Sequence, residues 1–166
     1  MDRGAVSRRT LLHGAALLAL LPDAAAWAQA AQDTPLPRID DLRPLLATVK
    51  RERRPLLLFF TTPGCPYCRE VRRSYLRPRA EEGEAASGVL IREVEMTSDR
   101  ELVDLNGQVI SERALAARYR VTMVPHLEFV DGSGKPLVKP LIGINRAGFY
   151  EGLLQQAILE STRAQH

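Results

Sequence analysis

The chain has 166 residues, 45% hydrophobic and 26% charged, enough material for one domain with a proper core, and shows no internal repeat. Its formal net charge of +3 is too small to suggest nucleic acid as a partner. Only two cysteines and three histidines are present, and beyond the N-terminal leader no stretch is long enough to cross a membrane.

Residues 1–30 read as an export signal. Arg3, Arg8 and Arg9 precede a mostly apolar stretch, Leu11 to Leu21, about half the length that spans a bilayer, and Ala26, Ala28 and Ala30 offer A-x-A cleavage sites. Ser7-Arg8-Arg9-Thr10-Leu11-Leu12 resembles a twin-arginine signal, with Leu11 where phenylalanine is commonest and His13 where lysine often follows; a Sec signal with an arginine-rich start and an uncleaved anchor are the alternatives. Cleavage after Ala30 leaves a mature charge of about +2 and a protein expected in the bacterial periplasm, not spanning the membrane. That compartment is oxidising, so a lone cysteine pair there is an oxidant, or a reductant fed by an external electron supply.

Residues 31–40 read as a linker and 41–161 as the domain, with 162–166 a C-terminal tail. Asp40 and Asp41 cap a predicted helix carrying Leu42, Leu45, Leu46 and Val49, which ends in the solvated basic run Arg51 to Arg54. Leu56 to Phe60 has no polar alternation and is expected to be a central strand buried on both faces. After the turn Thr61-Thr62-Pro63-Gly64, the spacing predicts a helix with Cys68, Val71 and Tyr75 on one face and Cys65 exposed at its mouth; Leu76-Arg77-Pro78 marks its end.

Cys65-Pro66-Tyr67-Cys68 therefore joins a buried strand to a helix N-terminus, the arrangement that dithiol/disulfide chemistry needs. Backbone N–H groups and the positive dipole end favour a thiolate on Cys65, and Cys68 lies one turn on, within reach to resolve a mixed disulfide. As a structural staple, so short a loop contributes little, roughly 2 kcal/mol. A zinc site needs two more ligands, and with His13 in the leader and His166 at the terminus only His126 remains. No metal and no cofactor are expected.

Downstream, a polar loop (Glu81 to Gly88) precedes a strand at Val89 to Met96, and Asn106-Gly107 turns an inserted hairpin within Arg100 to Ile110. Ser111 caps a short helix with Leu115 and Tyr119. Leu127 to Val130 and Leu137 to Ile142 form a hairpin around Asp131-Gly132-Ser133-Gly134, and a closing helix carries Phe149, Leu153, Leu154, Ala157 and Ile158. The order β-α-β-α-β-β-α predicts an α/β fold, a central mixed sheet of about four strands with helices on both faces.

With Met123-Val124-Pro125-His126 placing a proline just before a strand, the chain from about Leu42 to Leu159 resembles the thioredoxin superfamily. The stretch Phe59 to Arg69 looks most like exported thioredoxin-like proteins of the SoxW type. The resemblance implies a cis Val124–Pro125 bond packed against the disulfide, with Val124 and Pro125 as the substrate-docking edge. Two positions depart from common thioredoxins: Phe59 stands where they carry a buried aspartate, and Gly64 where they have tryptophan.

The expected activity is thiol:disulfide oxidoreduction on disulfide-containing client proteins, with Cys65 the nucleophile, Cys68 the resolving thiol and a membrane electron donor as supply. No histidine or other cation lies between the cysteines, which favours a reductase over a strong oxidant. Oxidase or isomerase activity, and a non-catalytic metal- or client-binding module, are the alternatives. Glu93 and Glu95 are candidate bases for Cys68, His126 a candidate modulator or an outward-facing strand residue, and Arg69 and Arg72 candidate cations near Cys65.

Overall fold

A computed structural model of the chain describes residues 35–144 and 148–165. The export signal and its cleavage sites lie outside them. The elements run α1 (Leu42–Glu52), β1 (Leu56–Thr61), α2 (Pro66–Val71), a π-helical turn (Arg72–Leu76), α3 (Arg77–Glu82), α4 (Glu84–Ser87), β2 (Leu90–Glu95), β3 (Glu101–Val103), β4 (Val109–Ser111), α5 (Glu112–Arg118), β5 (His126–Val130), β6 (Leu141–Ile142) and α6 (Tyr150–Arg163).

β1 is buried throughout because it lies inside a sheet of order β2-β1-β5-β6, parallel to β2 and antiparallel to β5. Its alternate side chains feed two cores. Leu57 and Phe59, with Leu127 and Phe129 of β5, meet Cys68, Val71 and Leu76 on one face, together with Tyr150, Leu154 and Ile158 of α6. Leu56, Leu58 and Phe60 meet Leu42, Leu46 and Val49 of α1 and Leu115 of α5 on the other. Each fully buried Leu or Phe contributes roughly 1.5–3 kcal/mol. The expected mixed four-strand sheet with helices on both faces is present.

Local chemistry sets the element ends. Asp41 accepts the Arg43 N–H at 2.8 Å and Ser111 Oγ the Ala114 N–H at 3.1 Å, each satisfying an otherwise orphaned helix donor. The inserted hairpin turns at Gly107, whose φ of +79° favours glycine. Asp104, wholly buried, accepts from the N–H groups of Asn106 and Gln108 and from Arg118 at 2.6 Å. Burial pushes its carboxyl up, but these bonds outweigh that and hold it below the usual range.

Several expectations are corrected. Pro78 does not end the helix: the preceding turn widens so that the Arg77 N–H reaches the Arg72 carbonyl, and Pro78 falls in the first turn of α3, where its missing donor costs nothing. Glu81 to Gly88 is largely helical, through the end of α3 and α4. The strand expected at Leu137 to Ile142 shortens to two residues, since Pro136 and Pro140 cannot donate to the ladder; a Leu137 N–H bond to the Phe129 carbonyl still holds the segment to β5. The buried stripe of α6 is Tyr150, Leu154, Ala157, Ile158 and Ser161, leaving Phe149 and Leu153 exposed, and the helix extends through Arg163 into the expected tail.

Residues 36–40 of the expected linker are docked. Leu36 and Ile39 are buried, the Glu93 N–H donates to the Pro37 carbonyl, and the Val103 N–H donates to the Asp40 carbonyl. Burying two large apolar side chains offsets the entropy of ordering this segment.

Candidate active site

β1 ends in the turn that delivers Cys65 to the mouth of α2. The Cys65 N–H donates to the Thr62 carbonyl at 3.4 Å, and Gly64 between them has φ +74°. A Cβ there would meet nothing within 4 Å, so glycine is required by the backbone conformation and not by lack of space. This accounts for the missing tryptophan in a way the sequence alone did not show.

Cys65 and Cys68 form a disulfide with Cα atoms 5.3 Å apart. Cys65 caps α2, its Sγ accepting the Cys68 N–H at 3.1 Å, and Pro66 occupies the first turn. The same N–H is placed to stabilise a Cys65 thiolate once the bond is reduced. Cys65 is half-buried, less open than expected, and Cys68 is buried at 1% exposure. An attacking partner therefore meets Cys65 first. The Val124–Pro125 bond is cis, and Val124 packs against the same cluster as Cys65 and Cys68. Tyr67, Met123 and Ile142 are exposed large apolar side chains, the first two inside or beside these motifs.

Beneath the disulfide lies a buried charge pair. Arg72, one helical turn after Cys68, points inward, donates through Nε to Glu93 Oε2 at 2.9 Å and through Nη2 to Oε1, and sits 6.0 Å from the centre of the Phe59 ring. Glu93, register partner of Phe59 and 2% exposed, also accepts from Thr61 Oγ1 at 3.2 Å and from the Leu36 N–H at 2.8 Å. The position that lacks the aspartate thus has a carboxylate on the next strand. Four donors occupy that carboxylate, so it ties the docked segment, β1 and the π-helical turn after α2 together.

Glu95, half-buried, accepts from Thr97 Oγ1 and lies 3.9 Å from Arg38. Arg69 is exposed, and the charge of Arg72 is matched by Glu93. His126 is neither outward-facing nor beside the cysteines: it is buried on the opposite sheet face, edge-on to Phe60 with ring centres 5.6 Å apart, and bonds Glu128 Oε2 through Nε2 at 3.1 Å. Period-two alternation from Leu127, which faces the cysteine side, fixes that placement. Among the described residues no group of three or more His, Cys, Asp or Glu side chains is placed to hold a metal, and no helix is long and apolar enough to cross a membrane.

A cysteine pair at disulfide distance, on a strand-to-helix junction of such a sheet, defines a protein class built for thiol–disulfide redox chemistry. The thioredoxin-like domain family matches residues 42–158, and the chain belongs to that family. It is similar in structure to a thioredoxin-fold protein from Helicobacter pylori, at 20% identity and TM-score 0.51, over 68% of this chain and 73% of that one. It is also similar to Fasciola hepatica thioredoxin, at 22% identity and TM-score 0.47, over 76% of this chain and 99% of that one. No curated relative matches the chain.

Proposed function

We propose that the protein reduces disulfides of client proteins in the bacterial periplasm, as an exported thioredoxin-like protein of the SoxW type. The observation that carries this reading is the unequal pair: a half-buried Cys65 sulfur receiving a backbone N–H, and a buried Cys68 three residues on. The Cys65 thiolate attacks one sulfur of a client disulfide, the client S–S bond breaks, and the departing client sulfur takes a proton. Deprotonated Cys68 then attacks Cys65 Sγ, the mixed disulfide breaks, and the second client thiol leaves. Two electrons pass to the client, and the protein retains the Cys65–Cys68 disulfide. The Val124–Pro125 edge docks the client chain, flanked by Met123 and Tyr67, whose exposed apolar surface suits a protein partner. A membrane electron donor restores the dithiol.

The reducing direction rests on electrostatics. Glu93 neutralises Arg72, and Arg69 is solvent-screened, so Cys65 lacks the strong cationic stabilisation that makes a dithiol powerfully oxidising. Equilibration against glutathione is expected to place the pair near the thioredoxin value of about −270 mV; a value near −120 mV would instead make it an oxidant.

Export is tested separately. Trp27 is the only tryptophan and precedes Ala28 and Ala30. The mature protein is expected to show no tryptophan emission, and an intact mass that includes Trp27 would contradict cleavage at either site.

A further inference from the structure

β1 carries the chain about 17 Å from Leu56 to Thr61, and its register with β5 sets Leu56 beside Val130, so the turn at 131–135 lies at the far end of the strand from Cys65. α1 and α6 finish against that turn. Lys50 and Arg53 line a recess with Asp131, Gly132 and Gln165, and a Cβ on Gly132 would stand 2.6 Å from the Lys50 Cβ. A second recess meets the same turn at Gly134 and is lined by Arg120.

Positive charge is in excess at this end of the domain. Lys50, Arg53, Arg120, Lys135 and Arg163 are all exposed, and Lys50 and Arg120 enter no ion pair among the described residues. The carboxylates of the same segments are fewer and engaged: Glu52 is shared by Arg51 and Arg54, Asp131 accepts the Ser133 and Lys135 N–H groups, and Glu160 accepts from Gln156. Helix C-termini favour cations on their own account, but Lys135 lies on a turn and serves no helix.

The recess beside Arg120 is of a different kind. It holds about 430 Å³ between Leu42, Leu46 and Leu115, and Leu105, 45% exposed, reaches within 3.4 Å of where a Gly134 Cβ would stand. Spread cations beside an open apolar recess match a surface that is anionic outside and apolar just beneath. An acidic protein face would match the charge alone. We propose that this end of the domain docks reversibly on a membrane surface rich in anionic phospholipid, with Lys50, Lys135 and Arg120 against the phosphates and Cys65 left facing away from the lipid. No cysteine takes part, so the docking stands apart from the redox reading; the choice of a lipid surface rests on the proposed export and membrane electron donor.

The test is co-sedimentation of the protein purified from the periplasm with vesicles of phosphatidylcholine, either pure or containing about one-third phosphatidylglycerol. At about 20 mM salt the anionic vesicles are expected to bind at least about thirtyfold tighter than the neutral ones, and raising the salt to about 150 mM should weaken them at least about tenfold. The variant Lys50→Gln/Arg120→Asn/Lys135→Gln, with asparagine chosen for the left-handed backbone at φ +53°, should lose at least about thirtyfold. Arg69→Gln/Arg73→Gln/Arg113→Gln removes the same charge from exposed sites elsewhere and should lose no more than about threefold. Reduced protein on the vesicle should be alkylated at Cys65 within about twofold of its rate in solution. Equal losses in the two triple variants, equal binding to neutral vesicles, shielding of Cys65 by the lipid, or no saturable binding at low salt would overturn the proposal, the last turning the charge toward an acidic protein partner. Parent and variants share one N-terminus, so a retained leader cancels in their ratios. If the first triple fails to fold, lipid preference, salt dependence and Cys65 alkylation still decide, and insulin reduction in solution reads the cysteine pair separately.

Discussion

Cys68→Ser should accumulate covalent, reductant-sensitive complexes with client proteins, whereas Cys65→Ser should accumulate almost none. The asymmetry follows from position. Cys65 is reachable and its sulfur accepts the Cys68 N–H, a donor placed to stabilise negative charge there, while Cys68 is shut in among Val71, Leu127 and their neighbours. A serine at 68 leaves that N–H in place but removes the only sulfur positioned to release the mixed disulfide. With the uncatalysed route slowed to minutes or hours, trapped complexes should exceed those of the Cys65→Ser chain at least about tenfold. Non-reducing electrophoresis of periplasmic extracts reads the difference. Equal trapping by both variants, or acid alkylation that labels Cys68 before Cys65, would contradict the assignment of the nucleophile.

The largest expected loss of stability lies just below, at the Arg72–Glu93 pair. The two side chains are 10% and 2% exposed, and Glu93 also anchors the Leu36 N–H and Thr61. Glu93→Ala strands a buried guanidinium and frees the docked N-terminal segment, a combination expected to cost about 3–5 kcal/mol in urea unfolding. Arg72→Leu strands the carboxylate and should cost a similar amount. The double change Arg72→Leu/Glu93→Leu, which leaves no unpaired charge, should recover a large part of it. Single losses below about 1 kcal/mol that simply add in the double variant would show that the pair is not coupled. Because the pair lies one turn below Cys68, the singles should also blunt the difference in alkylation rate between the two cysteines.

Much of this architecture was legible in the sequence because its signals are local. An unbroken apolar run marked β1, Pro66 after Cys65 marked the start of α2, and Asn106-Gly107 marked the inserted hairpin, each carrying its own backbone reason. Buried charges were not legible in this way. Arg72 shares the inward face with Cys68 and Val71, a spacing that could have flagged it, yet only the Phe59–Glu93 register shows what it meets. Glu112, buried between Arg38 and Arg100, and Asp104 under Arg118 depend likewise on contacts across the chain. The π-helical turn that carries the chain past Pro78 has no composition cue, and Gly64 could not be told from a spacer until its φ was known. His126 was misplaced because an extended strand offers two faces, and the residue type does not choose between them; its bond to Glu128 does.

The proposed exchange of electrons between this pair and protein disulfides can be read directly. The most direct measurement mixes the fully reduced protein with a disulfide-bonded protein such as insulin and counts thiols on both partners after rapid acid quenching. The predicted result is one client disulfide reduced for each Cys65–Cys68 disulfide formed, with neither serine variant completing the cycle. A protein that keeps both thiols reduced, and instead holds the client or a metal ion in stoichiometric amount, would contradict it and make this chain a binding module on a thioredoxin fold.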